Sequence, residues 1–406
     1  MIEMPTSGDL LQNFREHVID AWFPRCMDPR GGFVQNFDSK WTAQDDGVRS
    51  LVYQARHTWV ASKAMDALPE RRTEMRRYAD HGLRFLMDRL HDEDNGGFQW
   101  SIRVDGTPVD AKEPKHAYGI AFAIYALAAH ARATHSTESL GLARQTFAWL
   151  DENAHDPVHG GYFEVLSDSG TPVDDDGSSL AKMVGPGIGF RSSNTHMHLL
   201  EAFTELYKAE PDNLLASRIE EIHRIMLTKM YVRPGSLHES YTNSWQPVPG
   251  PDSYGHNVEA GFLMLEAAET LGRIDDEASM AAARALVDNS LRVAVDPLNG
   301  SLASDGTPFG RIHNAQRIWW VQAEFLNALA FLHHKLGSSA PQYGDALTKL
   351  WGFIISYQVD TTHKGWIPYL TPELNAEAGR GKSDGWTEGY HQSRALLNAA
   401  NWLLGS

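Results

Sequence analysis

The feature that most constrains the fold is a short turn-and-strand signature that recurs six times along the chain. It reads DPRGGFVQNF, DEDNGGFQWSI, DPVHGGYFEVL, RPGSLHESY, DPLNGSLAS and THKGWIPYL, with its glycine at Gly32, Gly97, Gly161, Gly235, Gly300 and Gly365. Successive copies lie 65, 64, 74, 65 and 65 residues apart, a regularity that marks a structural repeat. Glycine supplies the positive φ that a tight turn demands, and the alternation after it reads as a short strand.

Each signature is followed by an apolar run of helical length: SLVYQARHTWVASKAMDA, HAYGIAFAIYALAAHARA, NTHMHLLEAFTELYKA, GHNVEAGFLMLEAAETLG, WWVQAEFLNALAFLHHKLG and GYHQSRALLNAANWLLG. All but the last lead into a more charged helical segment such as RRTEMRRYADHGLRFLMDRL, and the first segment of that kind is LLQNFREHVIDAWF near the N-terminus. A helix with one apolar stripe belongs in an outer layer, and one apolar on nearly all sides belongs inside. Six such pairs predict an all-α fold, an (α/α)6 barrel of six helix pairs with short β-hairpins at one end. An open solenoid of helical hairpins is the alternative. Closure is preferred because both terminal repeats are as regular as the middle ones and neither carries a polar cap. No linker or low-complexity segment breaks the pattern, so residues 1–406 read as a single catalytic domain.

Charge and composition narrow the partners. A formal net charge of −16 repels nucleic acid and anionic membranes and favours a small neutral molecule. No apolar stretch approaches the roughly 18 residues of a membrane span. The opening MIEMPTSGDLLQNF lacks the basic and apolar regions of a signal peptide. The lone Cys26 rules out an intrachain disulfide. A cytoplasmic protein, monomeric or homodimeric, is expected. The 12 Trp and 13 Tyr suit the apolar faces of sugar rings, besides filling core.

Polar residues in apolar helices are costly to bury and need a reason. Here they gather at the N-terminal ends of the inner-type helices: Arg56 and His57; His116 and Tyr118; Asn194, His196 and His198; His256, Asn257 and Glu259; Trp319, Trp320 and Glu324; Tyr390, His391 and Arg394. Parallel inner helices would bring all six clusters to one end of the barrel, where the helix dipoles favour an oxyanion. Taken singly, each residue is better explained as core or cap; the coincidence of all six points to a site. His198 and Glu201, like His256 and Glu259, stand three apart, so each carboxylate is expected to orient its imidazole. A carboxylate-bridged metal site would use the reverse order, Glu-x-x-His, and His196 and His198, two apart, face different ways; no metal or organic cofactor is expected. The segment AGRGKS (378–383) ends like a phosphate-binding loop, but that pattern needs a glycine where Ala376 stands. It is read as a flexible loop.

Four motifs then carry a resemblance. Asn194-Thr-His-Met-His198-Leu-Leu-Glu201, Tyr254-Gly-His256-Asn-Val-Glu259, Trp319-Trp-Val-Gln-Ala-Glu324 and Gly389-Tyr-His391-Gln-Ser-Arg394 are similar to the inner-helix motifs of the N-acylglucosamine 2-epimerase family. That family includes cellobiose and mannose 2-epimerases and mannose aldose–ketose isomerases, and the likeness spans essentially the whole chain. It implies an (α/α)6 barrel. His256 and His391 match the family's acid/base histidines, His198 a third that assists ring opening, and Arg56 an arginine at the reacting carbonyl. Trp319 and Trp386 match its sugar-stacking tryptophans; Tyr118, Asn194, Glu259 and Glu324 match its supporting polar shell. Asn257 stands where many cellobiose epimerases carry aspartate, and Gly-Trp-Thr-Glu-Gly-Tyr-His replaces their Cys-Pro-Tyr-His. Both departures weigh against a disaccharide.

Two histidines suit the implied reaction. Inversion at C2 needs an open-chain aldehyde, a base to remove the C2 proton, a group to hold the enediolate charge, and an acid on the opposite face. Histidine, with an unperturbed pKa of about 6.5, serves as either acid or base, and arginine as a permanent oxyanion donor. An aldose–ketose isomerase uses the same enediolate and returns the proton to C1. A glycoside hydrolase or lyase on such a barrel would instead need two carboxylates, for which Glu201, Glu259 and Glu324 are candidates. As a sugar-binding or scaffold protein, the chain would have no use for Arg56 and three histidines at these ends.

Overall fold

Twelve principal helices alternate between two layers in the computed structural model, which describes residues 3–110, 113–173 and 189–404. Numbered in chain order, the outer helices are α1 (Ser7–Phe14), α3 (Arg72–Phe85), α5 (Thr137–Ala154), α7 (Asn213–Ile225), α9 (Glu277–Val293) and α11 (Pro341–Phe353). The inner ones are α2 (Leu51–Ala67), α4 (Ala117–Thr134), α6 (Ser193–Ala209), α8 (Tyr254–Thr270), α10 (Trp319–Leu336) and α12 (Tyr390–Trp402). The layers follow from burial. Every residue of α4 from Ala117 to Ala131 is buried, whereas α3 buries Met75, Tyr78, Ala79, Gly82 and Leu83 and turns Arg76, Arg77 and Arg84 to solvent. Each inner helix packs on the next, and α12 packs on both α1 and α2. The ring is therefore closed, and the open solenoid is excluded.

The signature turns carry the expected hairpins, bridged at Met27–Phe33, His91–Phe98, His155–Tyr162, Tyr231–Leu237, Val295–Leu302 and Val359–Trp366. Beyond them the strands join successive repeats. The strand leading into each of the first five inner helices pairs antiparallel with the strand leaving the next signature, as Val48–Ser50 does with Ser101–Arg103 and Arg317–Ile318 with Tyr369–Leu370. A bridge between Phe37 and Ser383 makes the sixth such link and closes the circle.

Two repeated contacts tie the turns to the inner helices. Arg49, Lys115, Arg191 and Arg317 each stand two residues ahead of an inner helix, and each reaches the signature aspartate of its own repeat: Asp28, Asp92, Asp156 and Asp296. Lys382 makes the same contact with Asp360, at 2.7 Å. The lysine of AGRGKS is thus a buried latch, committed to a carboxylate and not free to hold phosphate. The fourth signature lacks the aspartate; there Asp252 replaces the cation two residues ahead of α8 and accepts a hydrogen bond from Ser236. The second contact comes from the fourth residue of an inner helix. Gln54, His196, Asn257 and Gln322 accept the backbone N–H of Phe33, Tyr162, Leu237 and Leu302 at 2.7, 3.0, 2.8 and 2.9 Å. These side chains are buried because each satisfies a strand donor that would otherwise be orphaned. At Gly161, where φ is +74°, a Cβ would approach the Trp245 ring to 2.6 Å and His196 to 2.9 Å, so the signature glycine is required there by space as well as by conformation. No helix among the described residues is long and apolar enough to cross a membrane.

Candidate active site

The inner helices all begin at the end of the barrel where the signature strands lie, so their first turns face one another. Between them is a cavity of about 190 Å³ lined by Arg56, Tyr118, Asn194, His198, His256, Trp319, Trp320, Tyr369, Trp386 and His391. Every inner helix contributes to it, and Tyr369 and Trp386 come from the last signature and the loop after it. Eight of the ten residues singled out by the family resemblance line this cavity. Glu259 and Glu324 do not; they lie behind it, wholly buried.

Three histidines face the cavity, each held through Nδ1 by a carboxylate. His198 is bound to Glu201 at 2.9 Å, as its spacing predicts. His391 is bound to Glu324 at 2.7 Å. His256 departs from expectation: its partner is Glu239, with the two carboxylate oxygens 3.0 and 3.3 Å away, and not Glu259. Glu259 is drawn off by Arg394, which also donates to Glu201 and Glu324. One guanidinium thereby organises three carboxylates, and two of those are hydrogen-bonded to catalytic-candidate histidines. The indole of Trp320 lies against both imidazoles, its centroid 5.0 Å from His256 and 5.5 Å from His391. Arg56 donates to Glu388 at 2.7 Å and to the Tyr118 hydroxyl at 3.0 Å, and rests over the Phe122 ring.

The electrostatics set the two histidines apart. Four buried carboxylates (Glu201, Glu259, Glu324, Glu388) face two guanidinium groups (Arg56, Arg394), so the site holds an excess of acceptors for protons. Burial works against a charged Glu201, but Arg394 with the His198 and Tyr390 hydrogen bonds outweighs it and holds this carboxyl well below the usual range. Burial raises Glu324 and Glu388 despite their arginine partners. Burial would lower His256, yet Glu239, through its charge and hydrogen bond, and then Glu259 and Glu324, lift it above the ordinary histidine value. Burial, reinforced by the charge of Arg56, pushes His391 well below that value. His391 is thus a neutral imidazole whose Nδ1–H is spent on Glu324, leaving the Nε2 lone pair free. His256 is favoured as the cation.

Other polar residues of the helix ends have structural work. His57 sits among Trp22, Phe23, Phe33 and Tyr53, His116 caps α4 by accepting from Tyr118 N, and His196 and Asn257 hold strands. Burial pushes His57, His116 and His196 down to about 3. The carboxylates a hydrolase or lyase would use, Glu201, Glu259 and Glu324, are absent from the cavity wall and bound to Arg394. Donor atoms of Glu259, Glu324 and His391 lie within 4.8 Å of one another, the one such group among the described residues. Arg394 donates to both of its carboxylates, supplying the positive charge that group calls for.

Sequence reasoning missed Glu239, Glu388 and Tyr369, and assigned Trp320 no role. Trp320 was legible as the second tryptophan of WWVQAE. Glu239 had a fainter signal, because it occupies the same signature position as Glu164, two residues after the strand donor held by the inner helix.

The sequence pattern of the family described as N-acylglucosamine 2-epimerase (GlcNAc 2-epimerase) matches residues 31–395. The cellobiose 2-epimerase of Dictyoglomus turgidum is 29% identical over 405 residues, covering 96% of this chain and 97% of that protein. The D-mannose isomerase of Marinomonas mediterranea is 28% identical over 412 residues, covering 98% of each. Among solved structures, the cellobiose 2-epimerase of Spirochaeta thermophila superimposes with a TM-score of 0.87 at 30% identity, over 98% of this chain and 96% of that one.

Proposed function

The chain belongs to the N-acylglucosamine 2-epimerase family, and from that premise we propose that it is a sugar 2-epimerase of the mannose/glucose type working through an enediolate. The observation that carries this reading is the pair of oppositely polarised histidines, His391 neutral and His256 favoured as the cation, at one cavity. In the open-chain aldehyde, His391 Nε2 takes the C2 proton, and the C2–H electron pair forms a C1–C2 double bond as the carbonyl electrons move to O1. Arg56 and the helix N-termini hold that oxyanion. His256 then delivers its proton to C2 from the opposite face as the O1 electrons return to form the aldehyde. His198, oriented by Glu201, is placed to serve ring opening. Trp319 and Trp386 offer faces to the sugar, and Tyr118 and Asn194 polar contacts. No metal or organic cofactor enters the scheme.

A cavity of about 190 Å³ lies below the roughly 300–1,000 Å³ of sites for drug-sized ligands, and it suits a single sugar ring at the reacting position. The end-to-end similarity with a D-mannose isomerase favours a second reading, mannose-to-fructose isomerisation. There the proton returns to C1. One experiment tests both: the protein is incubated in deuterated water with mannose, glucose, fructose, cellobiose or N-acetylglucosamine, and products are resolved by chromatography and mass spectrometry. Epimer carrying deuterium at C2 supports the first reading, and ketose carrying it at C1 the second. Turnover with no deuterium at either carbon refutes the acid/base scheme.

A further inference from the structure

We infer that Glu239, on a loop outside the inner helices, is the positioning residue that makes His256 the proton donor of the pair. The inference rests on the functional reading above. Its basis is a comparison of equivalent places in the repeats. Two residues beyond the strand donor, the first and third signatures carry Gln35 and Glu164, and both cap the approach to their own inner helix. Gln35 accepts from Ser50 N at 3.1 Å; Glu164 accepts from Ser192 and from the Thr195 hydroxyl. In the fourth repeat this place is Glu239; Ser253 caps α8 as Ser192 caps α6, its hydroxyl accepting from His256 N at 3.2 Å, but Glu239 does not bind that serine as Glu164 binds Ser192. The Glu239 carboxylate is instead turned on the His256 imidazole.

Its backbone is fixed independently. The Glu239 carbonyl accepts from Ser193 N, the first residue of α6, at 3.0 Å, and the strand after it pairs with Phe190–Ser192. A carboxylate anchored from the third repeat therefore orients a histidine of the fourth, with Nδ1–H donated outward and Nε2 left toward the cavity. The other ionisable groups bearing on His256 are Glu259 on its own helix and Glu324 on α10, with His391 beyond the Trp320 ring. Both glutamates are shared with Arg394, whereas Glu239 has no cation within ion-pair distance other than His256 among the described residues. Its charge is the one left to His256.

The consequence is directional. The resting enzyme is poised for the epimer whose C2–H faces His391, and a proton removed there is committed to inversion only when His256 delivers its own. Glu239→Gln keeps an acceptor for Nδ1–H and removes the charge; Glu239→Asp keeps the charge. The test compares both variants with wild type, using the aldose that turns over in the product screen. Three quantities are read: kcat and KM against pH, deuterium at C2 of recovered substrate relative to deuterated epimer formed, and the melting temperature. For Glu239→Gln we expect kcat to fall with little change in KM, and the alkaline limb of kcat to move at least about one pH unit lower, about tenfold fewer cationic His256 at a fixed pH on that limb. Exchange into recovered substrate should rise relative to inversion, because the enediolate is reprotonated by His391 instead. Glu239→Asp should restore the limb at least in part. A Glu239→Gln protein with unchanged limb and unchanged exchange ratio, whether or not its overall rate or stability falls, overturns the inference. Wild-type turnover without solvent deuterium overturns the underlying reading instead, so the two failures are distinguishable.

Discussion

Arg394 is the residue whose removal tests the charge architecture most directly. Its guanidinium donates to Glu201, Glu259 and Glu324, all of them at most 3% exposed. In Arg394→Met a flexible apolar side chain replaces it and three carboxylates lose their shared cation. Breaking a buried ion pair by removing one partner costs about 3–5 kcal/mol, and the shared geometry puts this case at the upper end. At about 2.1 cal/mol/K per residue, 406 residues unfold with an entropy of about 0.85 kcal/mol/K, so the loss corresponds to about 4–6 °C in Tm. The pH dependence has a definite sign. In the wild type Glu201 is held below its unfolded pKa, so its contribution to stability is full above that pKa and is lost only as pH falls through the folded value. Without Arg394 burial dominates and the buried carboxyls titrate above their unfolded values. Their penalty is absent in acid and grows as pH rises past about 4.3, the free glutamate value. Thermal unfolding by circular dichroism at several pH values between 5 and 8 measures the difference. The deficit of the variant should widen with rising pH, accompanied by loss of turnover, since Glu201 and Glu324 orient His198 and His391. A variant that melts with the wild type at pH 8 would refute the assignment of Arg394 as the counter-ion of this cluster.

Four further outcomes follow from the same geometry. His256→Asn and His391→Asn should each lower turnover by at least about 10²-fold while shifting Tm little, as steady-state assays and melts would record. Because burial and Arg56 depress His391 and Glu239 raises His256, kcat should form a plateau across neutral pH. Its acid limb should lie well below the usual histidine value and its alkaline limb above it; a narrow profile with both limbs at about 6.5 contradicts that assignment. Turnover should survive exhaustive dialysis against a chelator, and activity lost and then regained with zinc, manganese or magnesium would show that the Glu259–Glu324–His391 group holds an ion. Lys115→Met strips Asp92 of its buried cation at a latch that does not line the cavity, so Tm should fall by about 4–6 °C, for about 3–5 kcal/mol, with KM nearly unchanged.

Much of this protein can be read from its chain alone, and the reason is local. Turn glycines and helix amphipathicity are properties of short windows, so the six signatures and alternating apolar and charged segments determined the number of helix pairs, their layers and the end at which polar residues gather. His198 and Glu201 form one helix face, and their bond was predictable from spacing. The latches were equally open to inspection, since Asp28, Asp92, Asp156, Asp296 and Asp360 recur with the signature and a lysine or arginine precedes each matching inner helix. Only tertiary structure decided which carboxylate serves which histidine. His256 and Glu259 have the same spacing as His198 and Glu201, yet Arg394, from a helix 135 residues further on, competes for Glu259 and wins because a buried carboxylate needs a full positive charge more than a shared imidazole proton. His256 then turns to Glu239 on a loop, and His391 to Glu324 on the neighbouring inner helix. Closure decided this too: only when α12 meets α2 do Arg56 and His391 line one cavity, so the chemistry belongs to the ring and not to any one repeat.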